Sequence, residues 1–256
     1  MSPVSTSVIQ FDLQDVSVRF GAREVLKNVD LQIAQGDRLA LIGANGSGKS
    51  TLLRVLHGLI SSQSGQSRQV GQLSGCFSTH ENVRQAMLFQ RPHMLRMRAQ
   101  ANVALAAWLG GTPWALAKTQ ALAALQRVGL DGEAHRPARA LSQGQQQRLA
   151  LARAWVMQPN VLLLDEPTAS MDPHAKREVE KLMQEFADLD ASNTGQGMTL
   201  IFASHNLGQV KRLATHVGYL EHGQLLVHLP VKTFFDPLQL QTVSTQADAF
   251  LKGDFV

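Results

Sequence analysis

Gly43-Ala44-Asn45-Gly46-Ser47-Gly48-Lys49-Ser50 follows the apolar run Leu39-Ala40-Leu41-Ile42 and precedes the helix-compatible stretch Thr51-Leu52-Leu53-Arg54-Val55-Leu56. The spacing G-x-x-x-x-G-K-[ST] between a strand and a helix reads as a phosphate cradle. Glycine is required because backbone N–H groups must close around a phosphate chain that a Cβ would obstruct. In this cradle Lys49 brings positive charge to the β- and γ-phosphates and Ser50 offers an oxygen to Mg²⁺. The helix that follows turns its positive end toward the anion. A merely flexible glycine loop would not need an apolar strand before it and a helix after it.

Outward from this loop, apolar and polar residues alternate at Phe11, Leu13, Val16, Val18 and Phe20, and again at Val29, Leu31 and Ile33. Turns at Gly21-Ala22-Arg23 and Gln35-Gly36-Asp37 separate these runs from each other and from the phosphate-loop strand. The chain therefore begins with an antiparallel β-region feeding a βα unit. Val161-Leu162-Leu163-Leu164 and Leu200-Ile201-Phe202-Ala203 are continuous apolar runs, as expected of strands covered on both faces of a parallel sheet. They end in Asp165-Glu166 and Ser204-His205. Ligands of open parallel sheets sit beyond the carboxyl ends of the strands, so three strand ends are expected to meet at one nucleotide.

Residues from about 91 to 158 are rich in Ala, Leu and Gln, with helical period and no strand signal. Thr112 with Pro113 predicts a helix start, with Gly129 ending that helix after Val128. Ser142 predicts a cap for a helix through Gln145 to Met157, and Pro159 stops it. Asp172-Pro173 repeats the pattern for a helix to about Leu189, followed by a polar loop from Ala191 to Gly197. The fold class is thus α/β: a P-loop NTPase core with a mixed sheet, an antiparallel β subdomain and an inserted helical subdomain. As one domain over 1–256, the core is expected at about 1–90 and 159–228, the helical lobe at about 91–158, and a short C-terminal tail at 229–256.

Asp165 and Glu166 close a buried strand, where Asp165 would hold Mg²⁺ and Glu166 would polarise the attacking water or take its proton. A solvated acidic turn is the alternative, disfavoured by the phosphate loop upstream. Leu141-Ser142-Gln143-Gly144-Gln145 gives a second helix start with a serine cap and a glycine. With this stretch the chain resembles the nucleotide-binding subunits of ATP-binding cassette (ABC) transporters, whose Leu-Ser-Gly-Gly-Gln signature it matches at four of five positions. Gln143 stands in place of the first signature glycine, which bears on how closely the backbone approaches phosphate there.

The resemblance covers nearly the whole chain and implies an ATPase with ATP and Mg²⁺ at a shared site. Two copies would pair head to tail, each ATP lying between one copy's Gly43–Thr51 loop and the other's Ser142, Gly144 and Gln145. It further implies that Phe20 stacks on adenine, a residue that the alternation alone places in a strand, core or exposed. By the same resemblance Gln90 reaches Mg²⁺ and the water, and His205 contacts the γ-phosphate and orients Glu166. Ser170-Met171-Asp172 matches the loop through which Asp172 signals between sites. Catalysis thus falls to Glu166, His205, Gln90 and Lys49, and the metal to Ser50, Gln90 and Asp165.

The segment Gln90 to Arg98, with Met94, Leu95 and Met97 beside Arg91, Arg96 and Arg98, lies where such cassettes receive a membrane partner. With Ala101-Asn102-Val103 it resembles bacterial tungstate-type importers, near those for phosphate and polar amino acids. The implied partners are two transmembrane permease subunits and, indirectly, a solute-binding protein. The stretch after Leu229 is too short for the extra C-terminal β-domain of molybdate-type cassettes, so regulation by solute binding to this subunit is not expected.

Composition sets outer bounds. At 44% hydrophobic and 17% charged, 256 residues bury a full core. No apolar run approaches the roughly 20 residues that span a bilayer, and no basic-then-apolar leader opens the sequence. Cys76 is the sole cysteine, which rules out an internal disulfide. The expected location is cytoplasmic, peripheral on the inner face of the membrane. The net charge of +4 comes without a nucleic-acid motif, so no nucleic-acid partner is expected. One phosphate loop and no sustained heptads set the chain apart from the paired translation-factor cassettes and from repair cassettes with coiled-coil insertions.

Overall fold

The computed structural model describes residues 8–60, 72–80, 83–169, 171–189 and 197–253. Ser170 and all but the last residue of the polar loop at 191–197 lie outside them. Strands β1 (Ile9–Phe20) and β2 (Arg23–Ala34) form the expected antiparallel pair, and β4 (Gln72–Thr79) adds on the far side of β1. The period of two breaks between Leu13 and Val16, and the register shifts there. Asp15 takes φ 53 and Asn28, on the neighbouring strand, φ 45. Asx residues tolerate the left-handed region, and here their side chains bond each other. The bulge keeps Phe11, Leu13, Val16 and Val18 all buried on one face.

The main sheet has the order β5-β6-β7-β3-β8-β9, built from β3 (Arg38–Ile42), β5 (Gln85–Leu88), β6 (Val161–Asp165), β7 (Thr199–Ala203), β8 (His216–Glu221) and β9 (Gln224–Pro230). All pairs are parallel except the β8-β9 hairpin, which makes the sheet mixed. Alternate residues of its central strands feed two cores. Ala40, Ile42, Leu162, Leu164, Leu200 and Phe202 pack toward the helical side. Leu39, Leu41, Val161, Leu163, Ile201 and Ala203 pack toward α1 (Lys49–Leu56) and the antiparallel sheet. Burial on both faces is why these strands read as unbroken apolar runs.

The helical lobe holds α2 (Ala99–Leu109), α3 (Trp114–Arg127) and α4 (Gln143–Trp155). Ala117, Ala121, Ala124 and Leu125 line one face of α3 at helical spacing, and the small alanines let α2 and α4 approach closely. Two local expectations shift. Thr112 does not cap α3: Pro113, at ψ 138, is still extended, so the helix begins at Trp114 without a side-chain cap. Helix α4 stops at Trp155 rather than Met157, because Gln158 turns left-handed at φ 48 before Pro159.

Beyond the lobe come α5 (Pro173–Leu189) and α6 (Leu207–Leu213). The tail differs from the expected boundary at residue 229, since β9 runs to Pro230. Three short helices follow: α7 (Val231–Phe234), α8 (Pro237–Val243) and α9 (Thr245–Lys252). Phe234, Leu240 and Ala247 are buried in the helical-side core, and the Phe250 ring lies 5.0 Å from that of Tyr219. Burial, then Glu221 at 3.3 Å, pushes the Tyr219 phenol up to about 12. No helix among the described residues is long and apolar enough to cross a membrane.

Candidate functional site

Strand β3 delivers the phosphate loop to the carboxyl edge of the sheet, between the ends of β7 and β8. Its glycines are dictated by space and by backbone. A Cβ on Gly43 would collide with the Leu220 carbonyl, and one on Gly48, at φ 111, would lie 2.7 Å from Leu26 Cδ2. Ala44, Asn45 and Gly46 are exposed at the rim, whereas Ser47, Gly48, Lys49 and Thr51 are buried. Among the described residues the buried Ser47 hydroxyl has no hydrogen-bond partner inside the cradle. An anion at the loop would supply the missing acceptor.

Lys49, only 5% exposed, folds back and donates from Nζ to the carbonyls of Gly43 and Ala44, both at 2.9 Å. Burial lowers its pKa, an effect opposed by the nearby carboxylates of Glu166 and Asp165. The adjacent Ser50 hydroxyl donates to Asp165 Oδ1 at 2.8 Å. Burial raises the Asp165 pKa, the Ser50 hydrogen bond lowers it, and Glu166 raises it again. A hydroxyl and a carboxylate held together by α1 and β6 form the hard-oxygen pair that Mg²⁺ prefers, with phosphate oxygens and water completing its shell. Among the described residues no group of three or more His, Cys, Asp or Glu is placed to hold a metal ion.

Glu166 follows Asp165 at the end of β6 with φ 47. One of its carboxylate oxygens lies 2.7 Å from His205 Nε2, and the other accepts from Gln90 Nε2 at 3.2 Å. Three residues read from distant parts of the sequence therefore converge, from the ends of β5, β6 and β7. Phe20, at the end of β1, is half-buried against the antiparallel-side core.

The segment after Gln90 is pinned in ways the sequence did not reveal. Asn102, 2% exposed, accepts from Leu95 N and donates to the carbonyls of Met97 and Arg98. Arg139 and Arg153 donate to the carbonyls of Met94 and His93. Of the two methionines expected at an exposed docking surface, Met97 is exposed but Met94 is core. Met94 turns inward because the three side chains that fix this backbone all come from the lobe.

Ser142 caps α4 in a full capping box: its Oγ accepts from Gln145 N while Gln145 Oε1 accepts from Ser142 N. Gly144 lies against α5, where a Cβ would come 3.1 Å from Ala175 Cβ. Asp172 Oδ1 accepts from the N–H groups of His174 and Ala175, the start-of-helix geometry expected. The N–H bonds from Ala175 and then His174 hold the Asp172 carboxyl below its usual range. These residues line an open groove of about 410 Å³ that includes Gln143 and no phosphate-loop residue.

A family model described as ABC transporter matches residues 26–169, more than half the chain, from β2 past Glu166. This chain belongs to the ABC transporter family. As an ABC ATPase it is 36% identical over 219 residues to the glutamine transport ATP-binding protein GlnQ of Escherichia coli (strain K12), covering 84% of this chain and 88% of the relative. It is 38% identical over 224 residues to the nickel import ATP-binding protein NikO of Rhodobacter capsulatus, covering 84% and 87%. Its fold matches the ATP-binding cassette MJ0796, solved as a dimer in a post-hydrolysis state with ADP and Pi, at a TM-score of 0.69. That match has 24% identity and covers 86% of this chain and 98% of the other.

Proposed function

We propose that this chain is the ATP-hydrolysing subunit of a bacterial importer, and that it works as a head-to-tail dimer on two membrane subunits. The observation that carries the hydrolytic reading is the grip of His205 and Gln90 on the two oxygens of Glu166, beside Lys49, Ser50 and Asp165. In this reading the Gly43–Thr51 loop and Lys49 bind the triphosphate, and Phe20 stacks on the base. Ser50, Asp165 and the Gln90 amide oxygen would hold Mg²⁺, which would supply positive charge against that developing on the phosphates. Glu166 orients the attacking water and takes its proton, while His205, released from the carboxylate, donates to the γ-phosphate.

Ser142, Gly144, Gln145 and Asp172 complete the site of the other copy. A serine-capped helix start offers donors and a positive dipole end to a γ-phosphate that its own chain does not hold. ATP then joins two copies, and loss of the γ-phosphate loosens them.

The importer reading is supported by the names of the relatives, which are import or transport proteins for glutamine and nickel. Tungstate as the solute rests on the sequence resemblance alone, with phosphate and polar amino acids as the alternatives. The decisive experiment is copurification with the membrane subunits, followed by vesicle ATPase measurements against tungstate, molybdate, phosphate, glutamine and nickel, each with its binding protein. Stimulation by one solute is expected; ATPase activity without any membrane partner bound in the cell would overturn the importer reading.

A further inference from the structure

We infer that Gln209 is the positioning residue that holds His205 and Glu166 in register, an inference that rests on the hydrolytic reading of that pair. Gln209 is wholly buried at the start of α6, beneath the exposed His205. Its Oε1 accepts from Ser204 Oγ at 2.6 Å, and its Nε2 donates to Thr168 Oγ1 at 3.2 Å. Ser204 immediately precedes His205, and Thr168 lies two residues after Glu166. Both partners are themselves buried, at 4% and 6% exposed. One side-chain amide therefore ties together the two backbones whose side chains meet at 2.7 Å above it.

The tie is reinforced on the histidine side. Asn206 N donates to Ser204 Oγ, and Gln209 N donates to Asn206 Oδ1, so the turn carrying His205 is fixed at three points. Glu166 needs such support, because a non-glycine residue at φ 47 persists only where its surroundings over-determine it. A neutral amide suits this position because it accepts at one end and donates at the other without bringing charge into a buried layer. None of these bonds touches the phosphate loop, so the network acts on the geometry of hydrolysis and not on the hold on ATP.

The test uses the intact chain with Gln209→Leu, Thr168→Val, their double variant and Thr168→Ser, reading kcat and the KM for ATP. Loss of either side of the tie is expected to lower kcat about tenfold with KM unchanged, the double variant being no worse than the poorer single one. Thr168→Ser keeps the hydroxyl and is expected to restore kcat. Wild-type kcat in Thr168→Val, additive losses in the double variant, or a rise in KM at constant kcat would overturn the inference. If Gln209→Leu does not fold, the contrast of Thr168→Val with Thr168→Ser decides the matter alone. Glu166→Gln is measured alongside: full turnover there sinks the reading of Glu166, whereas an inactive Glu166→Gln beside a normal Gln209→Leu sinks only the role of Gln209.

Discussion

His205 Nε2 lies 2.7 Å from Glu166 Oε1, so the imidazole occupies the carboxylate that the proposed chemistry needs for water. In the proposed reading Glu166 would become available to water once His205 turned to phosphate. Glu166→Gln keeps the shape and removes the base. Turnover is expected to fall about 10²–10³-fold with ATP affinity retained. Phosphate release together with size-exclusion of the ATP-bound form checks it: a trapped dimer is the expected product.

Gly48 sits at φ 111 with Leu26 Cδ2 and the Val25 carbonyl waiting where a Cβ would go. Gly48→Ala is expected to cost about 2–3 kcal/mol and to abolish nucleotide binding, because strain and overlap act together. Gly58, also left-handed at φ 79 but facing open space, is the control. Gly58→Ala is expected to cost about 1 kcal/mol with ATP affinity intact. Denaturant titration and nucleotide binding on both variants distinguish the two cases.

Asp165 has a raised pKa, with burial as the leading cause. A carboxyl whose folded pKa exceeds its unfolded value contributes stability at low pH that is lost as pH rises through the folded pKa. Above that pH the charged side chain is a cost that Asp165→Asn removes while still accepting from Ser50. The variant is expected to melt higher at pH ~7.5. The difference shrinks as pH falls through the folded pKa, and Mg²⁺-dependent hydrolysis is lost. Equal melting temperatures at neutral pH would refute the assignment.

Ser142 has two duties that substitution separates. Ser142→Ala removes the cap and is expected to cost about 1 kcal/mol of stability. Ser142→Asp keeps the cap, since aspartate is as good an N-cap, but sets a negative charge where the proposed dimer needs a donor to phosphate. Normal stability with loss of ATP-dependent dimerisation is the expected outcome for Ser142→Asp, read by calorimetry and light scattering. An unaffected dimer would place Ser142 outside the shared site.

The parts of this molecule legible in its sequence are those where one local constraint dominates. The phosphate loop, the unbroken apolar strands β6 and β7, and the caps at Ser142 and Asp172 each carry their reason within a few residues. Strand β4 gave little signal because it is mostly exposed, with Leu73 and Phe77 partly buried against the core, and among the described residues its place is set by pairing with β1. The tail helices were silent for a related reason: Phe234, Leu240 and Phe250 pack into a core built largely from strands and helices earlier in the chain. Gln209 gave no signal, since a lone glutamine in a short helix acquires meaning only from Ser204 and Thr168.

The return of Lys49 onto the carbonyls of Gly43 and Ala44 makes nucleotide capture an exchange. The ammonium already has two neutral acceptors, and a visitor wins it only by offering oxygens of greater negative charge. On the proposed reading, a triphosphate offers Nζ more negative charge than a monophosphate or nucleoside and is favoured in that exchange.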